Sequence, residues 1–158
     1  MKRLLLCATL ALVVQTQDRA IAQGGGFAIA GLEAKLFYSN SGRLSANILN
    51  NPKIVLHNTP IGEGTIEGPA DNTLLLVRIQ GPPKGLLKDL RLRITATTGP
   101  DTLADREIDV GSMNTAGNYY APCWLEDTGC DAVTVVVQLI HGSEKQRKMA
   151  IIPFECSE

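Results

Sequence analysis

The sequence has little of what usually advertises chemistry. Of its 158 residues, two are histidine (His57 and His141) and one is tryptophan. Zinc and copper sites gather several His or Cys ligands, and Cys130, His141 and Met149 are too far apart along one stretch to form a blue-copper site. There is no G-x-S-x-G elbow, no S-x-x-K and no H-E-x-x-H. The segment Gly62-Glu63-Gly64-Thr65-Ile66-Glu67-Gly68 is glycine-rich but lacks the lysine of a phosphate loop. Basic and acidic residues nearly balance, 15 against 16, which excludes a polybasic nucleic-acid binder. Aromatics make up 4% of the chain, too few for a broad sugar-stacking platform. No apolar run approaches the ~20 residues of a membrane-spanning helix, so no span is expected in the mature chain. No Asn-x-Ser/Thr acceptor for glycosylation is present.

What is present begins with the N-terminus. Lys2 and Arg3 precede an apolar run, Leu4–Val14, and Ala20-Ile21-Ala22 offers small residues for a peptidase. This three-part pattern is that of a cleavable signal peptide over residues 1–22. Export to a periplasmic or secreted location follows as the expectation. Removal of Lys2, Arg3, Arg19 and Asp18 changes the formal charge from −1 to −3 and leaves 136 residues, enough for one domain with its own core. Residues 23–31 read as a flexible leader and 32–158 as the domain.

From Leu32 onward the signal is period-two alternation, the mark of strands with one buried face. Leu32/Ala34/Leu36, Leu44/Ala46/Ile48, Leu75/Val77/Ile79 and Leu90/Leu92/Ile94/Ala96 each alternate with neighbours that are mostly polar or charged. Short runs at Ile54–Leu56, Arg106–Val110, Tyr119–Leu125, Val133–Ile140 and Met149–Phe154 complete the set, with Gly-, Asn- and Pro-rich turns between them. Seven to nine short strands so punctuated predict an all-β antiparallel sandwich. The layout resembles immunoglobulin-like or C2-like sandwiches in a general way, and such a likeness transfers no function.

After the signal, three cysteines remain: Cys123, Cys130 and Cys156. In an exported chain they are expected to bridge. Val133–Ile140 and Met149–Phe154 flank Gly142-Ser143-Glu144 and read as a terminal hairpin. If its turn centres on Ser143, Cys130 faces Cys156, Val135 faces Ile151, Val137 faces Met149 and Ala132 faces Phe154. Hydrophobic residues then meet across the ladder. Cys130–Cys156 is the pairing this favours, and Cys123–Cys130 is the alternative. Cys123 is then unpaired and buried.

Candidate contact residues lie in two places. Tyr120 and Trp124 share one face of a strand, opposite to Tyr119, Cys123 and Leu125. They form an exposed aromatic pair suited to protein or sugar recognition if the second set faces inward; otherwise Trp124 is the core tryptophan of the sandwich. Asn58–Thr73 is a long segment without apolar pattern, carrying Glu63 and Glu67, and long loops in compact domains are often functional. Two acidic groups could supply calcium with oxygens: Glu126, Asp127 and Asp131, and Asp101, Asp105, Glu107 and Asp109. Arg78, Arg91 and Arg93, with Lys84, Lys88, Lys145, Arg147 and Lys148 near or beyond them, make a basic face if their strands are neighbours; the alternative is that these charges keep exposed strands from pairing edge to edge. His141 is expected to be solvated at the hairpin turn.

With an export signal, a β scaffold and no catalytic constellation, the reading is a non-catalytic binding or interaction module of the envelope or extracellular space. Its partner would be a protein or polysaccharide. A calcium-dependent binding domain and a small extracytoplasmic hydrolase are the alternatives; the hydrolase would assemble its histidine or carboxylates over long range.

Overall fold

The structure, a computed structural model, describes residues 26–63, 67–83 and 86–157. Residues 1–22, read from the sequence as a signal peptide, lie outside these. Eight strands form two four-stranded antiparallel sheets packed as a β-sandwich. The strands are β1 (Ala28–Tyr38), β2 (Arg43–Leu44), β3 (Asn72–Gln80), β4 (Leu90–Thr98), β5 (Asp101–Asp109), β6 (Asn118–Leu125), β7 (Val133–His141) and β8 (Glu144–Ile152). One sheet runs β2-β1-β3-β6 and the other β5-β4-β7-β8. Among the described residues no helix is long and apolar enough to cross a membrane.

Alternation decides the core. Leu36, Leu75, Val77, Ile79 and Leu125 from the first sheet bury against Leu92, Ile94, Val135, Val137 and Ile152 from the second. Every second residue of these strands points into the space between the sheets. Burying side chains of this size contributes roughly 1.5–3 kcal/mol each.

Four expectations give way. The first strand starts at Ala28, inside the segment read as leader, and Phe27 is already buried. Ala28, Ala30 and Gly31 are too small to show an alternation, yet Gly31 sits opposite Arg78 in the ladder. The pattern Leu44/Ala46/Ile48 gives only the two-residue β2. Beyond it the Ser45 hydroxyl accepts from the Leu36 amide at 2.9 Å, and the Asn47 Oδ1 accepts from the Ala34 amide at 3.0 Å. Short polar side chains thus stand in for ladder carbonyls, as Ser and Asn do when they compete for backbone donors. Ile54–Leu56 likewise forms no strand, although Leu56 is buried.

The fourth correction is the terminal hairpin. His141 pairs with Glu144 across a two-residue turn, Gly142-Ser143. Gly142 has φ +58° and Ser143 does not share a positive φ, the pattern of a II′ turn with glycine first. The ladder is therefore shifted by one from a turn centred on Ser143. Val135 faces Ala150, Val136 faces Met149, Val137 faces Lys148 and Thr134 faces Ile151. A one-residue shift changes every side chain's face, so Met149 and Ile151 stand outside, 57% and 56% exposed. The ladder ends at Val133 opposite Ile152, so it does not pair Ala132 with Phe154.

The disulfide nevertheless joins Cys130 and Cys156, with Cα atoms 4.6 Å apart. Both lie beyond the ladder, Cys130 before Val133 and Cys156 after Ile152, where Pro153 releases the chain from pairing. The bridge therefore does not depend on the register.

Candidate functional site

The outer face of the β2-β1-β3-β6 sheet collects the exposed aromatic residues. Along β6, Ala121, Cys123 and Leu125 are buried while Tyr120, Pro122 and Trp124 point out. Tyr120 and Trp124 are 49% and 48% exposed. Trp124 is thus not the core tryptophan; the core of this strand is filled by Cys123 and Leu125.

The ladder extends this row across the sheet. Tyr120 faces Arg78, which faces Gly31; Pro122 faces Leu76, which faces Glu33; Trp124 faces Leu74, which faces Lys35. Phe37, one step further along β1, meets the Trp124 ring edge-on, centroids 5.5 Å apart at 82°. Such a T-shaped pair fixes the indole at low entropic cost. The result is a continuous apolar strip (Tyr120, Pro122, Trp124, Leu74, Leu76, Phe37) about 13 Å long between the two β6 aromatics. The Glu33–Lys35 ion pair at 3.0 Å borders it on β1. At its end, Phe37, Asn72, Trp124 and Glu126 line an open hollow of about 280 Å³.

Phe37, Leu74, Leu76 and Pro122 were not singled out by their sequence. The available signal was the run Leu74-Leu75-Leu76-Val77, which is apolar on both faces of a strand. A sandwich strand needs only one apolar face, so the second marks an additional contact.

The acidic candidates separate. Glu126 belongs to the hollow beside Trp124. Asp127 adopts φ +53° in the turn after β6, and Asp131 is exposed beyond the disulfide corner. Among the described residues no three His, Cys, Asp or Glu side chains are grouped to hold a metal ion. On β5, Asp105 takes a bidentate bond from Arg93 (2.9 and 2.7 Å) and Glu107 takes one from Arg91 at 3.0 Å. The Arg93 guanidinium holds the Asp105 carboxyl below its usual range. This engages Arg91 and Arg93, and Arg78 lies on the other sheet; Lys145 and Arg147 share the outer face of β5-β4-β7-β8 with Arg91 and Arg93, separated from them by Ile140 and Gln138.

Glu63 is held within its own loop and Glu67 against the β1–β2 turn. The Asn58 side-chain amide donates to Glu63 at 2.7 Å, and the His57 Nδ1 is 3.9 Å from the same carboxylate. Glu67 accepts from the Ser41 hydroxyl at 3.4 Å and lies 3.7 Å from Arg43. Burial, then the Glu67 carboxylate, raises the Tyr38 phenol above its usual range. Glu67 thus braces the β1–β2 turn, and neither carboxylate joins the aromatic strip. His141 is half-buried against the Phe27 ring, centroids 5.0 Å apart, rather than solvated.

Cys123 is unpaired and buried. Burial pushes its thiol up, with Arg106 partly opposing. A raised pKa disfavours the thiolate, the form a nucleophile requires. In protein beginning at Gln23, a thiol reagent should modify no cysteine in the native state and one per chain in urea. Because the folded state favours the neutral thiol, its contribution to stability is complete below about pH 8.5 and declines above it, as the unfolded thiol ionises. Denaturant titrations at pH 7 and 10 check this sign.

No protein-family model matches the chain, and no curated protein matches it closely enough to count as a relative. The geometry of the aromatic face therefore stands on its own.

Proposed function

We propose that this is an exported, non-catalytic binding module whose contact surface is the aromatic outer face of β1, β3 and β6, and whose partner is another protein. The observation that carries this is the strip Tyr120–Pro122–Trp124 flanked by Leu74, Leu76 and Phe37. A large exposed apolar patch rimmed by charge costs solubility and marks an interaction surface. Aromatic anchors dominate the energetics of such surfaces. The aliphatic residues between the rings favour a protein over a glycan, which needs polar groups aimed at its hydroxyls. The signal-like N-terminus and the bridged Cys130–Cys156 support export into an oxidising compartment.

The single tryptophan of the chain lies on this face, so its emission reports binding directly. A photo-crosslinking residue at position 122, in the producing cells, should give one discrete protein adduct. Trp124→Ala should abolish that adduct and weaken binding of the captured partner by roughly 30-fold or more, the ~2 kcal/mol of a hot-spot residue. Its effect on stability should stay below about 1 kcal/mol, because the side chain is half exposed and packs mainly on Phe37. Blue-shifted Trp124 emission with soluble oligosaccharides and no protein adduct would reassign the face to a glycan. Silence in both would sink the proposal.

A further inference from the structure

The edge of the other sheet is incompletely closed. β8 is the outermost strand of β5-β4-β7-β8. One end is clamped by Gln146, whose Nε2 donates to the Phe27 carbonyl at 2.6 Å while its Oε1 accepts from the Ile29 amide at 3.3 Å. The other end passes into the tail, where the Glu155 amide donates to the Leu56 carbonyl (3.1 Å) and its carbonyl accepts from the Asn58 amide (2.9 Å). Between the clamps, Arg147–Ile151 has no backbone partner beyond β7 among the described residues. Beside this stretch runs an open groove of about 500 Å³, walled by Leu49, Pro52, Ile54, Leu56, Ile151 and Pro153.

The side chains along this edge are sorted by type. Lys145, Arg147, Met149 and Ile151 point outward in that order, opposite the uncharged Ile140, Gln138, Val136 and Thr134. Lys145, Arg147 and Lys148 have no ion-pair partner among the described residues. Charge protects sheet edges against aggregation, and here it comes from Lys145, Arg147 and Lys148; the rest of the outward row, Met149 and Ile151, is apolar and exposed. The acidic strand β5 is a poor occupant, since Arg93 and Arg91 already engage its Asp105 and Glu107.

We infer that the open stretch of β8 docks an extended strand from a different protein, aliphatic where it meets Ile151 and Met149 and acidic where it meets Arg147 and Lys145. Strand addition supplies main-chain hydrogen bonds for affinity, and alternate side chains set specificity. Lys145 and Arg147, the two cations on the outward row, select carboxylates and speed their approach. This surface lies on the opposite sheet from the aromatic face and does not depend on it.

The test uses two synthetic peptides, acetyl-Val-Thr-Val-Thr-Glu-Thr-Glu-amide and its counterpart with lysine for each glutamate. Amide exchange is followed by NMR on the purified protein. The glutamate peptide should slow alternate amides of Arg147–Ile151 and leave Trp124 emission unchanged. Its affinity should fall as salt rises from 10 to 150 mM, when the screening length drops from ~30 to ~8 Å. The double variant Lys145→Glu/Arg147→Glu, both exposed positions, should keep its melting temperature, bind this peptide about tenfold more weakly and prefer the lysine peptide. Equal binding of both peptides, protection on β6, or no protection at millimolar peptide would overturn the inference. Growth of mass with protein concentration alone would also overturn it and assign the edge to a second copy of this chain.

Discussion

Replacing Cys130 and Cys156 together by alanine lowers the melting temperature by roughly 10 °C. The bridge spans a sequence separation of 26, and closing a loop of that length restricts the unfolded chain by about 3 kcal/mol. For a domain of this size each kcal/mol moves the midpoint by ~3–4 °C. The native side of the balance changes little, because the tail has other anchors. The buried Asn58, at φ +48°, accepts from the Ser157 amide through its side-chain oxygen at 3.0 Å. Scanning calorimetry checks the shift. Reductant should reproduce it in the unmodified protein and add nothing in the variant. A loss below 1 kcal/mol would mean that hydrogen bonds alone hold the corner.

That pair of cysteines was legible in the sequence, though for an incomplete reason. A hairpin symmetric about Ser143 brings Cys130 to Cys156. The real hairpin turns on Gly142-Ser143 and has a different register, yet the bridge forms, because the two cysteines lie outside the paired residues. Alternation recovered the sandwich wherever one face was polar, as along Leu90–Ala96. It failed around the small residues Ala28, Ala30 and Gly31, and where the Ser45 and Asn47 side chains take the Leu36 and Ala34 amides while the Ser45 and Ile48 amides still donate to β1 carbonyls. The exposure of Tyr120 and Trp124 followed from period two once Cys123 and Leu125 were assigned inward. Their companions Phe37, Leu74 and Leu76 come from β1 and β3, and only the sheet order brings them together.

The two outer faces divide the molecule's surface chemistry. On β4 and β5, arginines and carboxylates neutralise each other across the ladder. Exposed pairs of this kind contribute little to stability but keep the face soluble. Over β3 and β6 nothing comparable covers Leu74, Leu76, Pro122 and Trp124. The first sheet's outer face keeps its charge at the margin, in Glu33, Lys35 and Arg78, and leaves Pro122 and Trp124 exposed between them, which is the feature the proposed binding role rests on.

Gly129→Ala should be nearly as costly as losing the disulfide, at roughly 3 kcal/mol. Gly129 has φ +120°, a region L side chains rarely adopt. Forcing alanine there costs about 1–3 kcal/mol. An added Cβ would also collide with the Thr59 hydroxyl and lie 2.9 Å from Pro60. Thr59 is buried and donates to the Gly129 carbonyl at 3.3 Å, so it has no room to retreat. Thr128, the preceding residue, is equally fixed: its hydroxyl lies 2.8 Å from that of Thr73 and its amide donates to the Asp71 carbonyl at 2.8 Å. The substitution therefore pries the β6–β7 turn from the Thr59–Ile61 turn, one residue from Cys130. Urea titration should show a lower midpoint with an unchanged slope, since the surface exposed on unfolding stays the same. Thr59→Ser offers little relief, because the hydroxyl remains. Thr59→Gly in the Gly129→Ala background removes the collision with the hydroxyl but leaves the 2.9 Å approach to Pro60, so it should restore only part of the loss, and the double-mutant coupling measures the Thr59 share of it.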